Sequence, residues 1–76
     1  MPHLPVISGQ EAVRAFEKAG WVIDRRARSR HIVMKKSGVI TALSIPEHKV
    51  LDRGLLRALI RDAFLSVDEF IHLVKS

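Results

Sequence analysis

The sequence predicts an α+β domain of order α-β-β-β-α(-α): a three-stranded antiparallel sheet with its helices on one face. Three observations carry this. Two capping-box signatures, "SGQE" and "SVDE", each open a run whose apolar residues recur at helical spacing. Between them the period changes to short runs rich in β-branched and aromatic residues. At 76 residues, the chain has length for one domain, residues 1–76. Its core is marginal, since a chain this short buries only about 60% of its unfolded surface.

The first helix starts at Ser8, whose hydroxyl can accept from the amide of Glu11 while Glu11 reaches back to the amide of Ser8. Ala12, Val13, Ala15, Phe16 and Ala19 share one arc; Glu11, Arg14, Glu17 and Lys18 share the other. Gly20 supplies a left-handed stop. The strands are expected within "WVIDRRAR", "RHIVMKK" and "VITALSI". Ser37-Gly38 is a hairpin signal between the second and third, and Pro46 ends the third because it cannot continue a central ladder. On the middle strand Ile32 and Met34 are assigned to the core, which places His31, Val33 and Lys35 on the open face. Asp52 is a plausible cap for a second helix to about Phe64, with Leu55, Leu56, Leu59, Ile60 and Ala63 inward and Arg53, Arg57 and Arg61 as a stripe at the edge. Ser66 caps a short last helix with Val67, Phe70, Ile71 and Val74 inward. Trp21, Phe16, Phe64 and Phe70 are expected in the core. No helix remains for the other sheet face, and an uncovered antiparallel face can meet solvent or a ligand.

The net charge is +5, and six of the thirteen Lys and Arg residues lie within "RRARSRHIVMKK", residues 25–36, with no acidic residue among them. Clustered positive charge points to a nucleic-acid or acidic-protein partner. There is no cysteine, which excludes disulfides and thiolate metal sites and permits a reducing compartment. The opening "MPHLPVISG" lacks the basic and apolar regions of a signal peptide. No apolar run approaches the roughly 20 residues that span a bilayer. The expected location is therefore the cytoplasm, without a membrane. The four histidines show no helical i, i+4 pair and there is no acidic cluster, so neither a metal site nor a cofactor is expected. The isolated glycines form no phosphate loop.

An enzyme made of these residues would have to work with histidine and cations. RNA suits that limit, because each phosphodiester carries its own nucleophile in the 2′-OH. Histidine, titrating near about 6.5, can accept and donate protons at neutral pH, and guanidinium groups can stabilise the crowded phosphorane. His31 is the candidate, either as that acid–base group or as a surface histidine that only hydrogen-bonds. Arg25, Arg26, Arg28, Ser29, Arg30, Lys35 and Lys36 are the candidate RNA-backbone contacts. His48, Arg57 and Arg61 are secondary candidates: His48 as a second acid or a residue fixing its loop, the two arginines as phosphate clasps or a solvated helix edge. Trp21 could stack on a base but reads as core.

With these residues in place, the chain resembles the HicA (YcfA-like) toxin family of toxin–antitoxin pairs. "LPVISGQEAVRAFEKAGW" is similar to the family's opening "kLP…sg.e…aL.kaGf", and "IPEHKVLDRGLLRALIRDAFLSVDEF" to its closing "vP.H….l..GtLr.Il.qaglS.eEF". The resemblance implies an α-β-β-β-α fold similar to double-stranded-RNA-binding domains. It implies metal-independent cleavage of single-stranded mRNA that blocks translation, and a HicB-like antitoxin that covers the active site. It also implies that His31 is the catalytic histidine of the family's "GSH" segment. Ser29-Arg30 stand where the family has Gly-Ser, so that Arg30 either substitutes as a phosphate clamp or obstructs the site. Two other readings fit the same residues: a non-catalytic RNA-binding module, and a degenerate toxin whose basic face meets only its antitoxin.

Overall fold

The computed structural model describes residues 3–27 and 30–76. Its elements follow the expected order: α1 (Gly9–Lys18), β1 (Val22–Ala27), β2 (His31–Lys35), β3 (Leu43–Pro46), α2 (Arg53–Asp62) and α3 (Val67–Lys75). The three strands form one antiparallel sheet with β2 in the middle.

Local chemistry accounts for the ends of the helices. Ser8 and Ser66 both complete reciprocal capping boxes, with Glu11 and Glu69 as their partners. Asp52 caps α2 by accepting from the Leu55 amide. Gly20, at φ 98, makes the left-handed turn that releases the chain from α1. Lys36 crosses to the same place and donates to the Ala19 carbonyl at 2.9 Å. Lys18, in the last turn of α1, donates to the Leu73 and Ser76 carbonyls, tying the last turn of α3 to α1.

The core gathers Ala12, Val13, Ala15 and Phe16 of α1, Ile32 and Met34 of β2, Leu43 and Ile45 of β3, and Leu56, Leu59 and Ile60 of α2. Phe70 of α3 completes it, its ring centroid 5.1 Å from that of Phe16. Trp21 is 1% exposed, as core. Gly9 lies against β3: a Cβ there would meet the Pro46 carbonyl oxygen at 2.0 Å, so only a bare backbone fits. The Gly9 amide donates to the His48 carbonyl at 2.9 Å, and the Leu51 amide to the Ile7 carbonyl at 2.8 Å. These bonds fasten the segment before α1 to the segment after β3.

Three expectations need correction. Phe64 is not core. It is 74% exposed with φ 63, one residue past the Ala63 cap of α2. Its amide donates to the Arg61 carbonyl and the next amide, of Leu65, to the Ile60 carbonyl. This pair of bonds forms a Schellman motif, which forces a left-handed residue where helical periodicity would continue the inward arc. For a residue with a Cβ that conformation costs on the order of 1–2 kcal/mol.

Second, β3 begins at Leu43 rather than in the run from Val39, and Ile40 is fully exposed. Ser37-Gly38 do form a turn, closed by the Val39 amide on the Lys36 carbonyl, but only Gly38 has positive φ and it comes second. That is type II geometry, whose twist does not lead directly into a paired hairpin.

Third, β1 is no regular strand. Ile23 opposes Met34 and Arg25 opposes Val33, leaving Asp24 as an extra residue, a β-bulge.

Candidate functional site

The bulge decides which basic residues share a face with His31. Directly opposed residues of neighbouring strands point to the same side of a sheet. His31 opposes Ala27 on β1 and Pro46 on β3; Val33 opposes Arg25 and Ser44; Lys35 opposes Val22. Ile32 and Met34, on the alternate parity, are buried against the helices. His31, Val33, Lys35, Arg25 and Ser44 therefore occupy the face turned from the helix layer. In a strand without the bulge, Ile23 and Arg25 would share one face. With it, Ile23 sides with Met34 and Arg25 sides with His31.

His31 opens β2 and is half-buried. Arg25 is its diagonal neighbour across the β1–β2 ladder, a relation that places backbone positions about 7–8 Å apart, within reach of a long side chain. Arg30, directly before His31, is exposed and left-handed at φ 59. Its amide donates to the Ala27 carbonyl at 3.2 Å and its carbonyl accepts from the Glu47 amide at 2.8 Å. These bonds hold Arg30 next to the ends of β1 and β3.

The other candidates divide by what already occupies them. Arg26 opposes Ile32, on the helix side of the sheet, and donates to a Glu47 carboxylate oxygen at 2.6 Å. Lys35 lies on the open face with Asp24 at 3.7 Å. Lys36 is engaged with the Ala19 carbonyl and caps α1. Arg28 and Ser29 lie outside the described residues. His48 exposes its side chain, and its backbone carbonyl accepts from the Gly9 amide and so holds its loop. His48 borders a small cleft of about 210 Å³ shared with Ser8, Gln10, Glu47 and Lys49. Arg57 and Arg61 line a larger cleft between α2 and α3, of about 640 Å³.

Among the described residues no three His, Asp or Glu side chains stand together as a metal site, and no helix is long and apolar enough to cross a membrane. Two features of this site had little signal in the sequence. The bulge is hinted at only by an aspartate inside a β-branched run. Commitment of Arg26 and Lys36 to distant partners had no local signal at all.

A search of the curated proteins returned no match to the chain. The family model described as "HicA toxin of bacterial toxin-antitoxin" matches residues 9–65, from the first residue of α1 through the turn that follows α2. With the sheet order, the capped helices and this match covering most of its length, the chain belongs to the HicA family of toxins from bacterial toxin–antitoxin systems.

Proposed function

We propose that this toxin is a metal-independent endoribonuclease acting on mRNA, with His31 as its general acid–base group. The observation that carries the reading is that Arg25 stands diagonal to His31 on the sheet face turned from the helices, with Arg30 exposed directly before it in sequence. The substrate supplies the nucleophile. His31 accepts the 2′-OH proton as that oxygen attacks the adjacent phosphorus. A pentacoordinate phosphorane forms, and the bond to the 5′-oxygen breaks as His31 returns a proton to it. One strand then ends in a 2′,3′-cyclic phosphate and the other in a 5′-hydroxyl.

Arg25 faces the charge that accumulates on the phosphorane oxygens, where cations act most strongly, and Arg30 supplies a second exposed cation beside His31. Lys35 lies on the same face as His31, further along β2, and suits a neighbouring phosphate. Arg26, already bonded to Glu47, has the weaker claim to RNA. A HicB-like antitoxin that covers this open face would block the reaction by excluding RNA from His31.

The experiment is cleavage of a single-stranded RNA in EDTA by the purified protein beside its His31→Ala variant. Loss of a general acid–base group typically slows such a step by about 10²–10⁴-fold. Parent activity in EDTA, cyclic-phosphate ends and a folded, inactive variant are the expected results. A His31→Ala protein that cuts as fast as the parent would overturn the mechanism.

A further inference from the structure

The α2–α3 cleft and the residue that follows the cap of α2 are not used by the reaction just described. The cleft, about 640 Å³, has Ile60, Leu65 and Val67 in its walls and Arg57 and Arg61 along it. The two arginines sit one helical turn apart on the same side of α2, which makes them neighbours. Among the described residues no ion pair involves Arg57. Arg61 pairs, among the described residues, with its neighbour Asp62 at 3.9 Å, and keeps 80% of its side chain exposed. One turn further, Phe64 presents its ring to solvent from a left-handed backbone, its amide on the Arg61 carbonyl. Glycine would hold that turn without strain, and a buried ring would contribute to the core. Phe64 does neither, so its aromatic surface has no return within the fold.

We infer that this end of α2 is a holding subsite for single-stranded RNA, with Arg57 and Arg61 on the phosphates and Phe64 stacked on one base. Two cations one turn apart and an exposed ring at the same end of a helix are what an unpaired strand uses, because every base offers a π-face and every linkage a charge. The +5 net charge of the chain, and the long 3.9 Å pair that is the one ion pair of these arginines among the described residues, favour a polyanion over a neutral peptide. The inference rests on RNA being the substrate. It places a second binding surface in the helix layer, away from His31 on the opposite sheet face, so the subsite holds RNA without taking part in the chemistry.

The test uses a fluorescent 2′-O-methyl oligoribonucleotide, which has no free 2′-OH and is bound without being cut. Stacking on one aromatic ring is typically worth about 5- to 150-fold in affinity. Phe64→Gly should weaken binding within that range while its melting temperature holds or rises, since the glycine relieves the backbone. That opposite movement separates a missing stack from a damaged fold. Phe64→Tyr should bind as the parent does. Arg57→Gln with Arg61→Gln should lower the slope of log affinity against log salt by about 0.7 for each phosphate no longer neutralised. With cleavable RNA, Phe64→Gly should raise KM and leave kcat unchanged. Unchanged affinity and salt slope in these variants, with the parent binding and cutting RNA, would overturn the subsite alone. The same result with weakened antitoxin binding would assign the surface to a protein partner and equally overturn it. A parent that binds no RNA would overturn both this inference and the proposed function.

Discussion

Replacing Gly9 by alanine tests the close approach that ties the helix layer to the end of the sheet nearest His31. Helix propensity alone favours the change, since alanine exceeds glycine by up to about 1 kcal/mol inside a helix. Packing opposes it. The new Cβ would lie 2.0 Å from the Pro46 carbonyl oxygen and 3.2 Å from the Glu47 Cα, where ordinary contact begins at 3.4 Å. Two backbones must part by more than an ångström, and neither is a flexible side-chain end. Overpacking of this kind costs about 1–3 kcal/mol. Separating the two segments also stretches the 2.9 Å bond from the Gly9 amide to the His48 carbonyl, worth about 0.5–1.5 kcal/mol. Set against the propensity gain, the net loss is about 2 kcal/mol. For a domain of this size that lowers the melting temperature by about 8–16 °C. Urea unfolding followed by circular dichroism reads the loss directly. Pro46 is the Cα partner of His31, so RNA cleavage should also fall at a temperature where the variant remains folded. A Gly9→Ala protein as stable as the parent would refute the close-approach argument.

Three further outcomes follow from the site and its supports. Arg25→Gln should reduce the salt slope of RNA binding by about 0.7, whereas Arg26→Gln should leave it unchanged and cost at most about 1 kcal/mol of stability, because its partially exposed pair with Glu47 is screened; equal effects on binding would refute the division of faces. Lys36→Met should destabilise the fold by about 1 kcal/mol in urea titration by leaving the Ala19 carbonyl without its donor, with little effect on RNA affinity; a large affinity loss at unchanged stability would return Lys36 to the binding surface. The backbone amide of Ser66, and then its hydroxyl, hold the Glu69 carboxyl below its ordinary value of 4.5. A depressed carboxyl stabilises the fold above its unfolded value, and that contribution fades as the pH falls through the ordinary value towards the folded one. Helicity of α3 should therefore weaken on acidification below about 4.5 in the parent and not in Glu69→Gln; identical acid titrations of the two would refute it.

Much of this molecule is written in short-range pattern. The Ser8 and Ser66 caps, the Gly20 stop, the inward arcs of α1 and α2 and the parity of Ile32 and Met34 each depend on residues within four positions of one another. Backbone hydrogen bonding and helical or strand periodicity act over that range, so a linear reading reaches them. The concentration of cations around His31 is legible for the same reason. The family model adds that the arrangement belongs to HicA toxins.

Tertiary structure alone decided the rest. Nothing near Arg26 announces that Glu47, far along the chain, will neutralise it, and nothing near Lys36 announces the Ala19 carbonyl. Charges in sequence are counted alike; in the fold their partners are set by strand order. The Asp24 bulge turns Arg25 to the face of His31 because strand pairing has to reconcile Ile23 facing Met34 with the residues that follow. Phe64 left the core because the chain must reverse after Ala63 to bring Phe70 against Phe16. Local preferences propose each element, but the packing of distant elements chooses which side chains remain available to a substrate.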